Sequence, residues 1–103
     1  MSSPHFRFKQ FTVWHDRCAM KVGTDGVLLG SWCEIGNARN VLDIGTGSGL
    51  IALMIAQRFH EAHITAVEMD VPAAQQAHEN FQQSPFSRRL QAVCTDIRNY
   101  HIE

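Results

Sequence analysis

A chain of 103 residues, 45% of them hydrophobic, has room for one small domain with its own core and for nothing larger. No stretch approaches the ~20 consecutive apolar residues needed to cross a bilayer, and no charged segment, apolar run and cleavage site mark a signal peptide, so a cytoplasmic protein without membrane contact is expected. The formal net charge of −1 argues against a general polycationic nucleic-acid binder.

The charge is unevenly spread. Residues 1–24 carry Arg7, Lys9, Arg17 and Lys21 against Asp16, whereas the remainder carries five arginines against nine carboxylates. A basic arm on an acidic body is compatible with a polyanion meeting one edge, and equally with an ordinary solvated surface. Cys18, Cys33 and Cys94 are odd in number and lack metal-ligand spacing; they read as reduced thiols packed as small hydrophobes, and no metal is expected.

In chain order, residues 6–13 alternate imperfectly and are rich in aromatics, which predicts a strand or hairpin arm. The turn-rich Lys21 to Gly26 follows, with Thr24 or Asp25 able to cap a short apolar helix over Val27 to Trp32. Val41 to Ile44 reads as a buried strand, Gly45 to Gly49 as a turn, and Leu50 to Phe59 as a helix without a breaker. Ile64 to Glu68 is a second strand; Pro72 suits the first turn of a helix that runs to about Gln83, where Ser84-Pro85 stops it. Leu90 to Cys94 is a third strand, and a last helix starts at Ile97. From Val41 onward the order is strand, helix, strand, helix, strand, the first half of a doubly wound α/β parallel sheet behind a short N-terminal arm and helix. The expected organisation is an arm and cover over 1–36 and a βαβαβ cofactor half over 37–103.

Ligands of open α/β sheets bind outside the carboxyl ends of the strands. Asp43 lies in the first strand, Glu68 ends the second and Asp96 follows the third. Gly45 and Gly47 let the backbone approach a ligand, and Gly49 lets the following helix pack close to the strand. Glu68, 23 residues past Gly45, is placed to accept from both hydroxyls of a ribose. Asp96 is placed to accept from an adenine amine, with the N–H of Ile97 donating to the ring. Met69 covers an adenine face or packs in the core. The glycine spacing is G-x-G-x-G, with Leu50 where a dinucleotide fingerprint has its last glycine. A carboxylate two positions before Gly45 is poorly placed for a pyrophosphate and suits a cation, the ammonium or sulfonium of S-adenosylmethionine (SAM). Asp43 has a second possible role, pinning the turn through backbone N–H groups.

The segment Asp43-Ile44-Gly45-Thr46-Gly47-Ser48-Gly49 resembles motif I of the class I SAM-dependent methyltransferases, Glu68 their ribose-binding acid, and Asp96-Ile97 their adenine-binding pair. Phe8-Lys9-Gln10-Phe11, the block from His15 to Gly26, and Asn80 through Pro85 are similar to the bacterial tRNA1(Val) adenine-N6-methyltransferases, which methylate the adenine beside the anticodon. The resemblance implies a Rossmann-like fold, SAM or S-adenosylhomocysteine as ligand and a tRNA partner. It also implies a cover over the methionine end of SAM from Lys21 to Asp25, with Gly23 and Thr24 close to it; Lys21 and Thr46 are counted with the cofactor-binding residues, and a monomer is expected. The family's catalytic Asn-Pro-Pro-aromatic motif comes after a fourth strand, so no catalytic residue is assigned among these 103 residues and the chain is expected to be a cofactor-binding fragment inactive alone. His15 and Asp16 read as polar residues of an exposed arm rather than a general base. Alternatives are a SAM methyltransferase acting on ribosomal RNA, protein glutamine or a small molecule, a SAM-binding module without chemistry, and, more distantly, a NAD-dependent oxidoreductase.

Overall fold

A computed structural model describes residues 5–8, 10–18 and 39–100. Strands β1 (His5–Arg7) and β2 (Thr12–Trp14) form an antiparallel hairpin, and β3 (Asn40–Ile44), β4 (His63–Glu68) and β5 (Leu90–Cys94) a parallel sheet in the order β3-β4-β5. Helix α1 (Leu50–Arg58) crosses from β3 to β4 and helix α2 (Val71–Gln83) from β4 to β5. The expected α/β half-sheet is therefore present. The helix expected over Val27 to Trp32, the cover residues Lys21, Gly23 and Thr24, and Lys9 and Cys33 lie outside the described residues.

The aromatic arm is a hairpin because its alternation is broken in the middle. The Phe8 N–H donates to Phe11 O at 2.7 Å, closing the connection, and the two rings stack with centroids 4.7 Å apart. Phe11 then meets Phe86 edge-on, which ties the connection to the main core.

Register follows from the pattern of apolar side chains. Val41, Ile64 and Leu90 are laterally aligned, as are Asp43, Ala66 and Ala92. Both crossovers step the same way along the sheet, and right-handed connections then put both helices on one face. The core sits there: Leu53 and Ala56 of α1, Ala77 and Phe81 of α2, and Ile64 and Ala66 of β4 are all buried in one cluster. Leu42, Ile44 and Val93 alternate onto the other face, and Ile44 is 58% exposed.

Helix ends account for the boundaries. Asp70 caps α2 by accepting from Ala73 N–H at 3.2 Å, with Pro72 in the first turn, and the Ser84 hydroxyl closes its far end on Phe81 O at 2.8 Å. Helix α1 stops one residue before the expected Phe59. Carbonyls of its last turn and of the connection after it are taken by Arg89, whose guanidinium donates to Ala56 O at 2.7 Å, Phe59 O at 3.0 Å and Ala62 O at 2.8 Å. A cation there satisfies orphan acceptors and complements the helix dipole. Arg89→Ala is expected to cost about 2–3 kcal/mol in urea unfolding, since partly buried carbonyls lose charged donors; a cost below about 0.5 kcal/mol would show that water replaces the guanidinium freely.

The helix expected from Ile97 is, as far as the described residues run, a single 3-10 turn over Ile97–Asn99, with Asp96 as its cap. Cys18 is buried as expected, but Cys94, at the end of β5, is exposed. Among the described residues no helix is long and apolar enough to cross a membrane.

Candidate functional site

The glycine turn lies between β3 and α1, at the carboxyl end of the sheet. Gly45 N–H and Thr46 N–H both donate to Val67 O, at 2.7 and 3.3 Å, so the turn folds over the neighbouring strand. Gly45, Gly47 and Gly49 have φ of 72°, 56° and 88°, the left-handed region that side chains disfavour. A Cβ on Gly47 meets no atom within 4 Å. Space is left on that side of the turn, and glycine keeps it open.

Glu68 is the centre of the site. Its Oε1 accepts from Gly47 N–H at 2.8 Å and its Oε2 from Asp70 N–H at 3.0 Å. One carboxylate thus joins the turn after β3 to the start of α2. Asp43, for which the sequence allowed a role in pinning backbone N–H groups, accepts instead from the Thr46 hydroxyl at 2.8 Å. The backbone pin is Glu68, because parallel pairing carries the end of β4 past the turn. Burial pushes the Asp43 carboxyl above its usual range; the Thr46 hydroxyl opposes this and the nearby Glu68 charge adds to it. A positive charge close to Asp43 would relieve that strain.

Gly49 has a packing role that the sequence did not show. A Cβ there would stand 2.5 Å from a ring carbon of Phe81, so glycine admits the second helix. Phe81 is 1% exposed and belongs to the core cluster.

A groove of about 280 Å³ runs along the strand ends, lined among others by Gly45, Glu68, Met69, Asp96 and Ile97. Five of the expected ligand residues therefore meet in one concavity, while Asp43 at the end of β3 and Thr46 and Gly47 in the turn adjoin it. Met69 is 68% exposed and lines the groove, so it is not packed in the core. The groove sets exposed apolar side chains beside carboxylates, suited to a flat ring at one end and a hydroxyl-bearing sugar at the other. Among the described residues no group of three or more His, Cys, Asp or Glu side chains is placed to hold a metal.

Sequence reasoning missed Arg98. Its guanidinium grips Asp96, the shortest contact 2.6 Å, and with the Arg98 N–H holds that carboxyl below its usual range. An adenine amine would share Asp96 with this cation. Asn80 was missed too. Its amide donates to Ser48 O at 2.8 Å and to Trp14 O at 2.8 Å, and accepts from Trp14 N–H at 2.9 Å. Gln76, one turn earlier, donates to Asp16 Oδ1 at 2.6 Å and accepts from Arg17 N–H at 2.9 Å. The signal was two amides four apart in an alanine-rich helix: both are buried, Asn80 grips the main chain of β2, and Gln76 holds the segment just after it. His15 is buried rather than part of an exposed arm.

Residues 41–103 match the family described as a methyltransferase domain, and the chain belongs to that family. Curated relatives narrow the likeness. The chain is 60% identical over 100 residues to the tRNA1(Val) (adenine(37)-N6)-methyltransferase of Bacteroides fragilis, covering 97% of this chain and 42% of the relative. It is 62% identical over 96 residues to the protein of the same name from Serratia proteamaculans, covering 92% and 37%. The chain thus spans about two fifths of the length of these relatives. Of solved structures, that of P. horikoshii TYW2 in complex with MeSAdo superposes with a TM-score of 0.75 at 19% identity, over 94% of this chain and 37% of that one. The mitomycin 7-O-methyltransferase MmcR does so with 0.67 at 20% identity, over 76% and 23%. Both likenesses speak for the fold.

Proposed function

We propose that this chain forms the SAM-binding part of an enzyme that methylates N6 of an adenine in tRNA. The observation that carries the reading is Glu68 at the strand ends, joined to the glycine turn and facing a groove shared with Met69, Asp96 and Ile97. The identity to tRNA1(Val) adenine-N6-methyltransferases supports the substrate. The residues fit the cofactor: Gly47 leaves open space beside the turn, and Asp43 is a carboxylate whose charge lacks full compensation. When bound, SAM supplies an electrophilic methyl on a sulfonium. Glu68 would accept from its ribose hydroxyls, Asp96 and the Ile97 N–H would meet its adenine, and Asp43 would face its positive end. Lys21, Gly23 and Thr24 complete the proposed binding set, and the enzyme is read as a cytoplasmic monomer that needs no metal.

The test is to incubate the intact protein with SAM and undermodified tRNA and to digest the RNA for nucleoside mass spectrometry. N6-methyladenosine at the position beside the anticodon is expected; methyl transfer to another base or only to protein would replace the reading.

The raised Asp43 gives a pH prediction. A carboxyl whose folded pKa lies above its unfolded value adds stability below the unfolded pKa, and that contribution is lost as pH rises through the folded one. At neutral pH Asp43 therefore opposes folding, and Asp43→Asn should raise the midpoint of urea unfolding. The same substitution should weaken SAM binding and remove the earliest part of its fall on acidification, which in the native protein begins above the usual carboxylate range; the fall that remains belongs to Glu68 and Asp96. Calorimetric titrations across pH check this; a native protein whose SAM affinity is flat through the acid range would remove Asp43 from the site.

A further inference from the structure

We propose that the outer face of the β1–β2 hairpin is a second binding site, which takes one unpaired nucleotide of an RNA, its base stacked on Trp14 and its phosphate on Arg7. The proposal deepens the RNA-methylation reading and rests on it for the identity of the ligand.

Alternation along β2 sends Val13 fully inward and leaves Trp14 38% exposed. Arg7 is paired with Thr12 across the hairpin and shares the outward face. These side chains border a groove of about 370 Å³, lined also by Phe8, Gln10 and Gln83, which shares no residue with the cofactor groove. An indole face stacks on any base, and two flanking amides can pair with a base edge.

The platform is rigid. Both the N–H and the C=O of Trp14 are bonded to Asn80, which is 1% exposed, so the indole stands on main chain anchored to α2. Stacked Phe8 and Phe11 support the hairpin's connection. Trp14 also borders a second groove, lined by Asp16 and Glu79, and there Arg17 is committed to Glu79 at 2.7 Å. Carboxylates disfavour a phosphate on that side, and Arg7 favours it on the other. Of the basic arm's cations among the described residues, Arg17 is thus paired with Glu79 of α2, and Arg7 is the one directed at a ligand.

The experiment uses the intact protein with undermodified tRNA and, separately, a fluorescently labelled single-stranded oligoribonucleotide of mixed sequence. Trp14→Ala should raise the KM for tRNA and the Kd for the oligonucleotide about tenfold, with kcat at saturating tRNA and the Kd for SAM unchanged. Trp14→Phe, which keeps an aromatic face, should recover most of the loss. Arg7→Ala should weaken both and lower the slope of log Kd against log salt by about one. Unchanged KM and Kd in Trp14→Ala and Arg7→Ala overturn the proposal. If the native protein methylates no tRNA, the functional reading fails separately, and the oligonucleotide titration still decides the groove: binding lost in both variants supports it, and equal binding overturns it. Should Trp14→Ala not fold, as judged by SAM affinity and circular dichroism, Arg7→Ala and Trp14→Phe decide.

Discussion

Gly49→Ala is expected to destabilise the fold by about 3 kcal/mol, the largest loss of any single methyl addition among the described glycines. Two costs add. A side chain at φ 88° carries about 1–2 kcal/mol of backbone strain, and a Cβ 2.5 Å from the Phe81 ring overpacks a buried site for about 1–3 kcal/mol more. Phe81 packs in the cluster that joins both helices to the sheet, so its displacement spreads. The two costs separate in a double-mutant cycle: Phe81→Leu should recover the overpacking in a Gly49→Ala background and leave the backbone strain. Urea unfolding of the four proteins measures it. Simple additivity of the two substitutions would mean that the ring does not oppose the new methyl.

Glu68→Ala should raise the Kd for SAM between tenfold and a hundredfold, a loss of about 1–3 kcal/mol. The carboxylate does two things at once. It would accept from the ribose, and it already holds the Gly47 and Asp70 N–H groups, so its removal leaves the turn and the start of α2 without their common acceptor. S-adenosylhomocysteine carries the same ribose and should lose as much. Glu68→Gln should be only slightly better, because its NH2 end would face one of those two backbone donors. Calorimetry on the folded variants decides, and unchanged affinity would mean that the sugar is held elsewhere.

Much of the site was legible because it is local. The spacing of Gly45, Gly47 and Gly49 between an apolar strand and a helix is a backbone requirement, and all three glycines take the left-handed conformation that it implies. Glu68 and Asp96 were found because an acidic residue at the end of a parallel strand has one place to go, the carboxyl edge of the sheet. What the sequence did not show is side-chain pairing. Thr46 and Arg98 are only three and two residues from the carboxylates they bond, Asp43 and Asp96, yet periodicity does not say which side chains pair. The Phe81 ring that meets Gly49 arrives from a different element. Arg89 capping α1 from beyond α2, and Asn80 gripping β2 from 66 residues away, are of the same kind.

The sequence by itself determined the βαβαβ order, the position of the glycine turn and the carboxylates available to a ligand. These rest on strand and helix periods, on the conformational freedom of glycine, and on the rule that parallel strands end on one edge. Only the tertiary structure decided what those groups do to one another. It made Glu68 the clasp of the turn, buried Asp43 so that its pKa is raised, and spent Arg17 on Glu79, with Trp14 38% exposed on the same hairpin face as Arg7. The physical reason is that a buried hydrogen bond must be satisfied by whatever donor the packing brings within about 3 Å, and packing is a property of the whole chain.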